Sequence, residues 1–521
     1  MIGSGRGQTA PVQRRRRVGR VLGAIACGGS VVGLVAACGL AGPAGSADPP
    51  VPERAAAHAG AAAATAPEPP VLDRAAIDTM SFPPLEFEPP EPERFSLSNG
   101  IEVYYMEDRS LPLVELYALR RGGSSFFERS ELPVAEAVSG SLLLSGGTRS
   151  LEPDSVDWLI EYHALAPSFS SSGSAMLVGM ETPTRHLDLA LRLWVEVLRY
   201  PRFDPERVES WRLRQLELVR RGEDQPGSVA VSTFNRVLFG DHPIGWNLTP
   251  EDLAPGVLTG ERLRRLHEAI TCADNMTLGV VGDISRADAA AKLEAAFGDM
   301  PACAQPLVPP DPPVIRDEAG VFIVHKAVNQ TSLVMGQPGG ILQRDDPEYY
   351  AAQIANWILG GSGLSSRVSK RVRTDEGLAY GASTVWGAGI RHERAFGALT
   401  QTRADATVAT ALVIRDVLEQ ALREPPTEEE VRLAIDNTVN AFVFAFQTPG
   451  AIVTRQMSYR VGGLPADWLQ RYVAGIQEVT PRAVHDVVRR YIRPQDWTII
   501  IVGDTTKFDA APETLGPVVQ R

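Results

Sequence analysis

Apolar and polar positions alternate over residues 101–106 and 114–120, the period of a half-buried strand, and strand-like runs at 321–325 and 331–337 take the corresponding places further along the chain. Two other runs, NMTLGVVGD at 275–283 and DWTIIIVGD at 496–504, are apolar almost throughout and stop at Gly-Asp. They predict buried strands ended by a turn, and they lie 221 residues apart. The segments before them match at the same offset. Thr259 opens a helical pattern through Leu263, Leu266 and Ile270, and Thr480 opens one through Val484, Val487, Val488 and Ile492. Threonine before such a run is an N-cap signal. Further upstream, at an offset of 223, Asp204 and Thr427 stand before two long amphipathic patterns. Agreement of three features at nearly one offset predicts two homologous domains, residues 95–300 and 315–510, joined by a Pro-rich linker at 301–314. In the first domain the strands at 101–106 and 114–120 read as an antiparallel pair. Helices follow at 133–144 and 153–162, then strands through 168–180. The second domain repeats this order, with a helix at 349–359 and strands after Tyr380. The fold class is α+β, each domain an antiparallel sheet packed with helices.

A chain of 521 residues with 44% hydrophobic and 22% charged side chains is neither disordered throughout nor one small domain. Its net charge of −12 leaves no basic face for phosphate backbones, so nucleic acid is not expected as a partner. The first 37 residues carry six arginines, no acid and an apolar run from Val21 to Ala37, the pattern of a signal peptide. That run ends Val35-Ala36-Ala37-Cys38-Gly39, which resembles a bacterial lipobox with Cys38 as the lipidated residue. Residues 38–94, rich in Ala and Pro, are expected to be a tether. The address is therefore the bacterial envelope, lipid-anchored and periplasm-facing, with Gly39 in place of aspartate pointing to the outer membrane. In that oxidising compartment Cys272 and Cys303 either form a bridge closing a loop of about 30 residues or stand as two buried thiols.

The segments 239–245 (FGDHPIG), 336–339 (GQPG), 360–367 (GGSGLSSR) and 377–380 (GLAY) resemble the insulinase/pitrilysin family, which includes the mitochondrial processing peptidases. The resemblance spans about residues 95–507. It implies an inverted zinc motif, His-x-x-Glu-His, on the first long helix, with a further glutamate ligand on a later one. Here that helix reads PVAEAVSGSLLL from Pro133, just before Gly147-Thr148. Alignment on Gly147 puts Ala137 or Val138 at the first histidine, Ser141 or Leu142 at the second, and Gly140 or Ser141 at the catalytic glutamate. None is a zinc ligand. The eight histidines (His58, His163, His186, His242, His267, His325, His392 and His485) are all at least 23 residues apart, so no helical His pair exists in any register. Glu217 falls where the distant glutamate would lie, and alone it reads as an exposed helix residue. His242 reads as a loop or capping residue.

The family's Arg and Tyr, seven residues apart in the second domain, are matched by Arg373 and Tyr380, which the resemblance makes substrate-backbone donors. The stretch 168–174 matches the edge to which active relatives add a peptide strand, although Pro167 removes one donor there. A chain that keeps these donors and lacks the metal motif is expected to be a subunit that holds peptide and completes the site of a zinc-bearing homologous peptidase. No catalytic set is complete in this chain, and it is expected to bind no cofactor itself, the zinc lying in the partner. Two rival readings are an independent metallopeptidase with an atypical metal site and an envelope scaffold with no protease partner. No G-x-S-x-G elbow or phosphate-loop Gly-Lys supports serine-hydrolase or nucleotide chemistry.

Overall fold

In the computed structural model, which describes residues 90–316 and 319–520, the two apolar runs become central strands of two six-stranded sheets. The first sheet contains β1 (Glu93–Ser96), β2 (Glu102–Glu107), β3 (Leu113–Arg121), β4 (Ala166–Ser171), β5 (Ala175–Pro183) and β6 (Met276–Gly282), in the order β1-β2-β6-β3-β5-β4. The second contains β7 (Gly320–His325), β8 (Gln330–Pro338), β9 (Ala379–Trp386), β10 (Ala395–Arg403), β11 (Thr498–Gly503) and β12 (Val518–Gln520), in the order β12-β7-β11-β8-β10-β9. Apart from β1 and β12 the two orders are the same. The signal segment, Cys38 and the tether through residue 89 lie outside the described residues. Among the described residues no helix is long and apolar enough to cross a membrane.

Several expectations are corrected. The strands predicted as an antiparallel pair, β2 and β3, are not neighbours: β6 inserts between them, parallel to β2 and antiparallel to β3. All seven residues of β6 are buried, so it takes an interior place with ladder partners on both edges. The sheets are thus mixed, since β7 also runs parallel to β11 and to β12. The strands expected through 168–180 pair as a hairpin, β4–β5. The second unit continues past residue 510, where β12 joins β7, and the first begins at Glu93. The helix expected at 133–144 is two pieces, Leu132–Val138 and Leu142–Ser145. Gly140 lies between them, and the Arg120 guanidinium takes the Val138 carbonyl at 2.8 Å, which ends the first piece.

The helix starts follow the predicted chemistry. Asp204, Thr259 and Thr480 cap their helices through side-chain oxygens, and Thr427 with Glu430 forms a reciprocal capping box.

Each sheet has a core face covered by helices of its own half and a second face covered by a helix from the other half. Val103, Leu116, Leu278 and Val280 point to the first core, while Tyr104, Leu119 and Val281 point to the opposite face. There Val453 and Met457 of helix Pro449–Gly462, from the second half, lie fully buried on them. Reciprocally, Ala230, Phe234 and Val237 of helix Pro226–Phe239, from the first half, cover Phe322, Val334, Ile500 and Val502 of the second sheet. Both helices begin Pro-Gly, at Pro226-Gly227 and Pro449-Gly450, again 223 residues apart. Proline suits the first helical position and glycine allows a close approach. A side chain at Gly450 would collide with Glu115 and Tyr117 of β3. The linker at 301–314 therefore joins units already clasped by exchanged helices.

Two features of this frame lead to stability predictions. Tyr117 donates its hydroxyl to Glu115, which sits across β3–β5 from Glu181 and beneath the start of helix Pro449–Gly462. Burial, then Glu181 and Asp108, raise the Glu115 carboxyl above its ordinary value, against the Tyr117 hydrogen bond. The folded state thus binds that proton more tightly than the unfolded chain, and stability increases as pH falls through the raised value. Glu115→Gln is expected to raise Tm at pH 7–8 by a few degrees, with the difference narrowing toward acidic pH in thermal melts.

Cys272 and Cys303 are bonded, their Cα atoms 5.0 Å apart, closing a loop of 31 residues between helix Gly260–Ile270 and the end of helix Arg286–Phe297. Loop-closure entropy assigns such a bridge about 3–4 kcal/mol. Cys303→Ser is expected to lower the urea-unfolding free energy by that amount, and added reductant should have the same effect on wild type but none on the variant.

Candidate functional site

In the first half, the segment aligned with a zinc motif is built of side chains that cannot hold a cation. Ala137, Val138 and Leu142 are fully buried in the core, Gly140 offers no donor, and Ser141 is exposed at the break. The buried hydroxyls of Ser139 and Ser145 have no hydrogen-bond partner. Behind the helix lies Arg120, 1% exposed, donating to the Val138 carbonyl at 2.8 Å and to Thr271 Oγ1 at 2.9 Å. Burial lowers its pKa only to about 10, so it remains a cation at neutral pH. A guanidinium bonded to one of the two positions aligned with the first histidine opposes a second positive charge at that turn. Buried beside it, His267 is driven to about 3 by burial and by Arg120, and its Nε2 lies 2.9 Å from the Leu198 carbonyl. It is a neutral core residue.

Glu136, half-buried on the same helix, has a carboxyl raised above its ordinary value by burial, against a hydrogen bond from Ser124. Glu217 is exposed on helix Pro205–Asp224 and ion-paired with Arg221 at 2.7 Å, one turn away. The structure assigns it that surface pair. Among the described residues no group of three or more His, Cys, Asp or Glu side chains is arranged to hold a metal ion. The residues present do not fit zinc.

The second half places Arg373 and Tyr380 together. Arg373 lies in a π-helical turn, Lys370–Asp375, a widened geometry frequent at functional sites. Gly377, at φ +63°, then reverses the chain into β9, the outer strand of its sheet. Tyr380 is 79% exposed, and the Arg373 guanidinium stands 4.7 Å from the centre of its ring. This is a cation–π contact. Arg373 has no carboxylate partner among the described residues, while its neighbour Arg371 is paired with Glu376 at 3.1 Å. A guanidinium fork without a carboxylate partner and an exposed phenol therefore stand side by side, both able to donate to a carbonyl oxygen. The outer strand of the first sheet, β4, is mostly exposed, with three of its six residues serine and Pro167 opposite Met180.

His242 caps the Pro243–Gly245 turn, accepting from the Ile244 amide at 3.2 Å. Sequence spacing missed two ring pairs: His163 with His186, centroids 4.6 Å apart, and His242 with His392, 5.5 Å apart. Separations of 23 and 150 residues carried no local signal for either.

Residues 258–438 match the family described as the peptidase M16 inactive domain. An uncharacterized zinc protease of Streptomyces coelicolor is 25% identical over 313 residues, 58% of this chain and 66% of that protein. The non-peptidase homolog YmxG of Helicobacter pylori is 20% identical over 412 residues, 78% of this chain and 93% of that one. Among solved structures, a peptidase M16 inactive domain from Pseudomonas fluorescens superposes with a TM-score of 0.70 at 24% identity, over 80% of this chain and 98% of its own. A protease from Helicobacter pylori gives 0.70 at 17% identity, over 80% and 100%. At those identities the structures establish a shared fold.

Proposed function

Because the chain is an insulinase/M16 peptidase-like protein without the family's zinc-binding motif, we propose that it is the metal-free subunit of a two-chain peptidase. In this reading it holds peptide substrate and contributes Arg373 and Tyr380 to a site whose zinc is carried by a homologous partner. The observation that carries the reading is the asymmetry within one chain. The Arg373–Tyr380 pair is assembled, with half-buried Arg373 over the exposed Tyr380 ring, while the segment aligned with the metal motif is filled by Ala137, Val138 and Leu142 over a buried cation. Two preorganised donors serve the carbonyl of a bound peptide, where negative charge grows as it is attacked. The edge of β4 supports the holding role, because strand addition uses backbone hydrogen bonds and accepts many sequences. Cys38 and the tether would keep the subunit on the periplasmic face of the outer membrane.

The test is zinc content and peptide hydrolysis for residues 39–521, alone and mixed with a zinc-bearing homologue from the same cell. The expected result is no stoichiometric zinc and no hydrolysis alone, with hydrolysis in the mixture exceeding that of the homologue by itself. Stoichiometric zinc with chelator-sensitive hydrolysis by the lone chain would overturn the proposal.

A further inference from the structure

Away from that site, the imidazoles of His242 and His392, one from each half, stand 5.5 Å apart, with three arginines on the segments around them. Arg391, His392 and Arg394 come from the loop between β9 and β10. His242 follows helix Pro226–Phe239 of the first half, and Arg316 lies just past the linker. The Arg316 amide donates to the Leu238 carbonyl at 2.9 Å, and its guanidinium lies over Gly240, 3.3–3.4 Å from where a Cβ would stand. His242 has both ring nitrogens engaged, one accepting from the Ile244 amide and the other 2.9 Å from the Asp311 carbonyl. Its ring meets that of His392 edge-on.

None of the three arginines has a carboxylate partner among the described residues. Glu393, the acid of the loop, turns away to accept from the Gly340 amide. Several other shielded arginines find acids, Arg367 with Glu430, Arg212 with Glu209 and Arg199 with Asp299, while the buried Arg120 is satisfied by the Val138 carbonyl and Thr271. Arg394 is half-buried and burial lowers its pKa, whereas burial together with the neighbouring arginines and His242 pushes His392 down to about 4. Every charge acting on either imidazole is positive. A partly desolvated cation without a counter-charge is unfavourable, which is the position of Arg394, whereas Arg391 and Arg316 are exposed.

We propose that this seam is an oxyanion site for a phosphate group, held by Arg394 together with Arg391 and Arg316. Guanidinium forks pair with phosphate oxygens through two parallel N–H bonds. Arginines supplied by two separate segments, the one just past the linker and the β9–β10 loop, can approach a tetrahedral dianion from different sides. The His392 ring makes no hydrogen bond in the structure and can donate an N–H to the same ligand. The phosphate could arrive free or as a lipid headgroup.

The test uses the chain from residue 39 onward, which contains every described residue. Inorganic phosphate is titrated against chloride at constant ionic strength, following Tm and heat of binding. Co-sedimentation is then measured with vesicles of phosphatidic acid in phosphatidylcholine and of phosphatidylcholine alone. The expected result is a phosphate-dependent rise in Tm and at least a tenfold weaker affinity for Arg394→Gln. Arg391→Gln and Arg316→Gln, at exposed positions that leave the fold intact, should each weaken binding as well. Phosphate binding without a vesicle preference supports the site and identifies free phosphate as its ligand. Retention on phosphatidic acid vesicles that is lost in Arg391→Gln and competed by phosphate supports it and identifies the headgroup. No response to either probe, or an equal response in all three variants, overturns it.

Discussion

Arg373→Ala is expected to lower kcat/KM of the two-chain mixture about a hundredfold, the usual cost of removing one preorganised donor from a developing oxyanion. Tyr380→Phe, which keeps the ring and deletes only the hydroxyl, should fall in the same direction. Neither change should alter the fold, because Arg373 makes its cation–π contact only with Tyr380, and Tyr380 is 79% exposed. Tm, zinc content of the mixture and co-elution of the two chains are therefore expected to stay as in wild type. Arg373→Lys retains the charge without the planar fork and should fall between alanine and wild type. A scaffold would tolerate all three substitutions, so unchanged kcat/KM in Arg373→Ala would remove the shared-site reading and leave the structural one.

Gly279→Val should produce a large loss of stability. Gly279 lies in β6 on the face covered by helix Pro449–Gly462, where an added Cβ would stand 2.7 Å from Val453 Cγ1 and 2.8 Å from Met457 Sδ. Neither neighbour can withdraw easily, because both side chains are fully buried. Overpacking of this kind costs about 1–3 kcal/mol and occasionally more, and here it also lifts the helix that clasps the two halves. An expected loss of about 3 kcal/mol would appear as a lower urea midpoint. Met457→Ala alone leaves a cavity and should destabilise by about 2–5 kcal/mol, but combined with Gly279→Val its cost should be less than additive. Additive losses in that double variant would mean that the helix is not seated on β6.

Much of this was legible locally. The N-caps at Asp204, Thr259, Thr427 and Thr480 are written in residues within one turn of the amides they satisfy. The runs at 275–283 and 496–504 read as buried strands because an apolar run bounded by turn residues depends only on its own composition. The missing zinc motif was legible for a similar reason, since a helical His pair must lie within one turn. The Arg373–Tyr380 pair was read only through resemblance, and the ring contact between them comes from the turn at Gly377. The His242–His392 pair could not be read, because its members come from different halves.

By itself, then, the sequence determined the repeat, the fold class, the capped helices and the loss of metal donors, all of which rest on composition and short-range spacing. Only the tertiary structure decided that β6 separates β2 from β3 and that helices Pro226–Phe239 and Pro449–Gly462 are exchanged between the halves. It also decided that Arg120 ends the first helix at Val138. Strand pairing and helix docking join residues far apart in the chain. An apolar strand or an amphipathic helix shows that it needs a partner, but not which one, until the backbone ladders and buried faces are satisfied together.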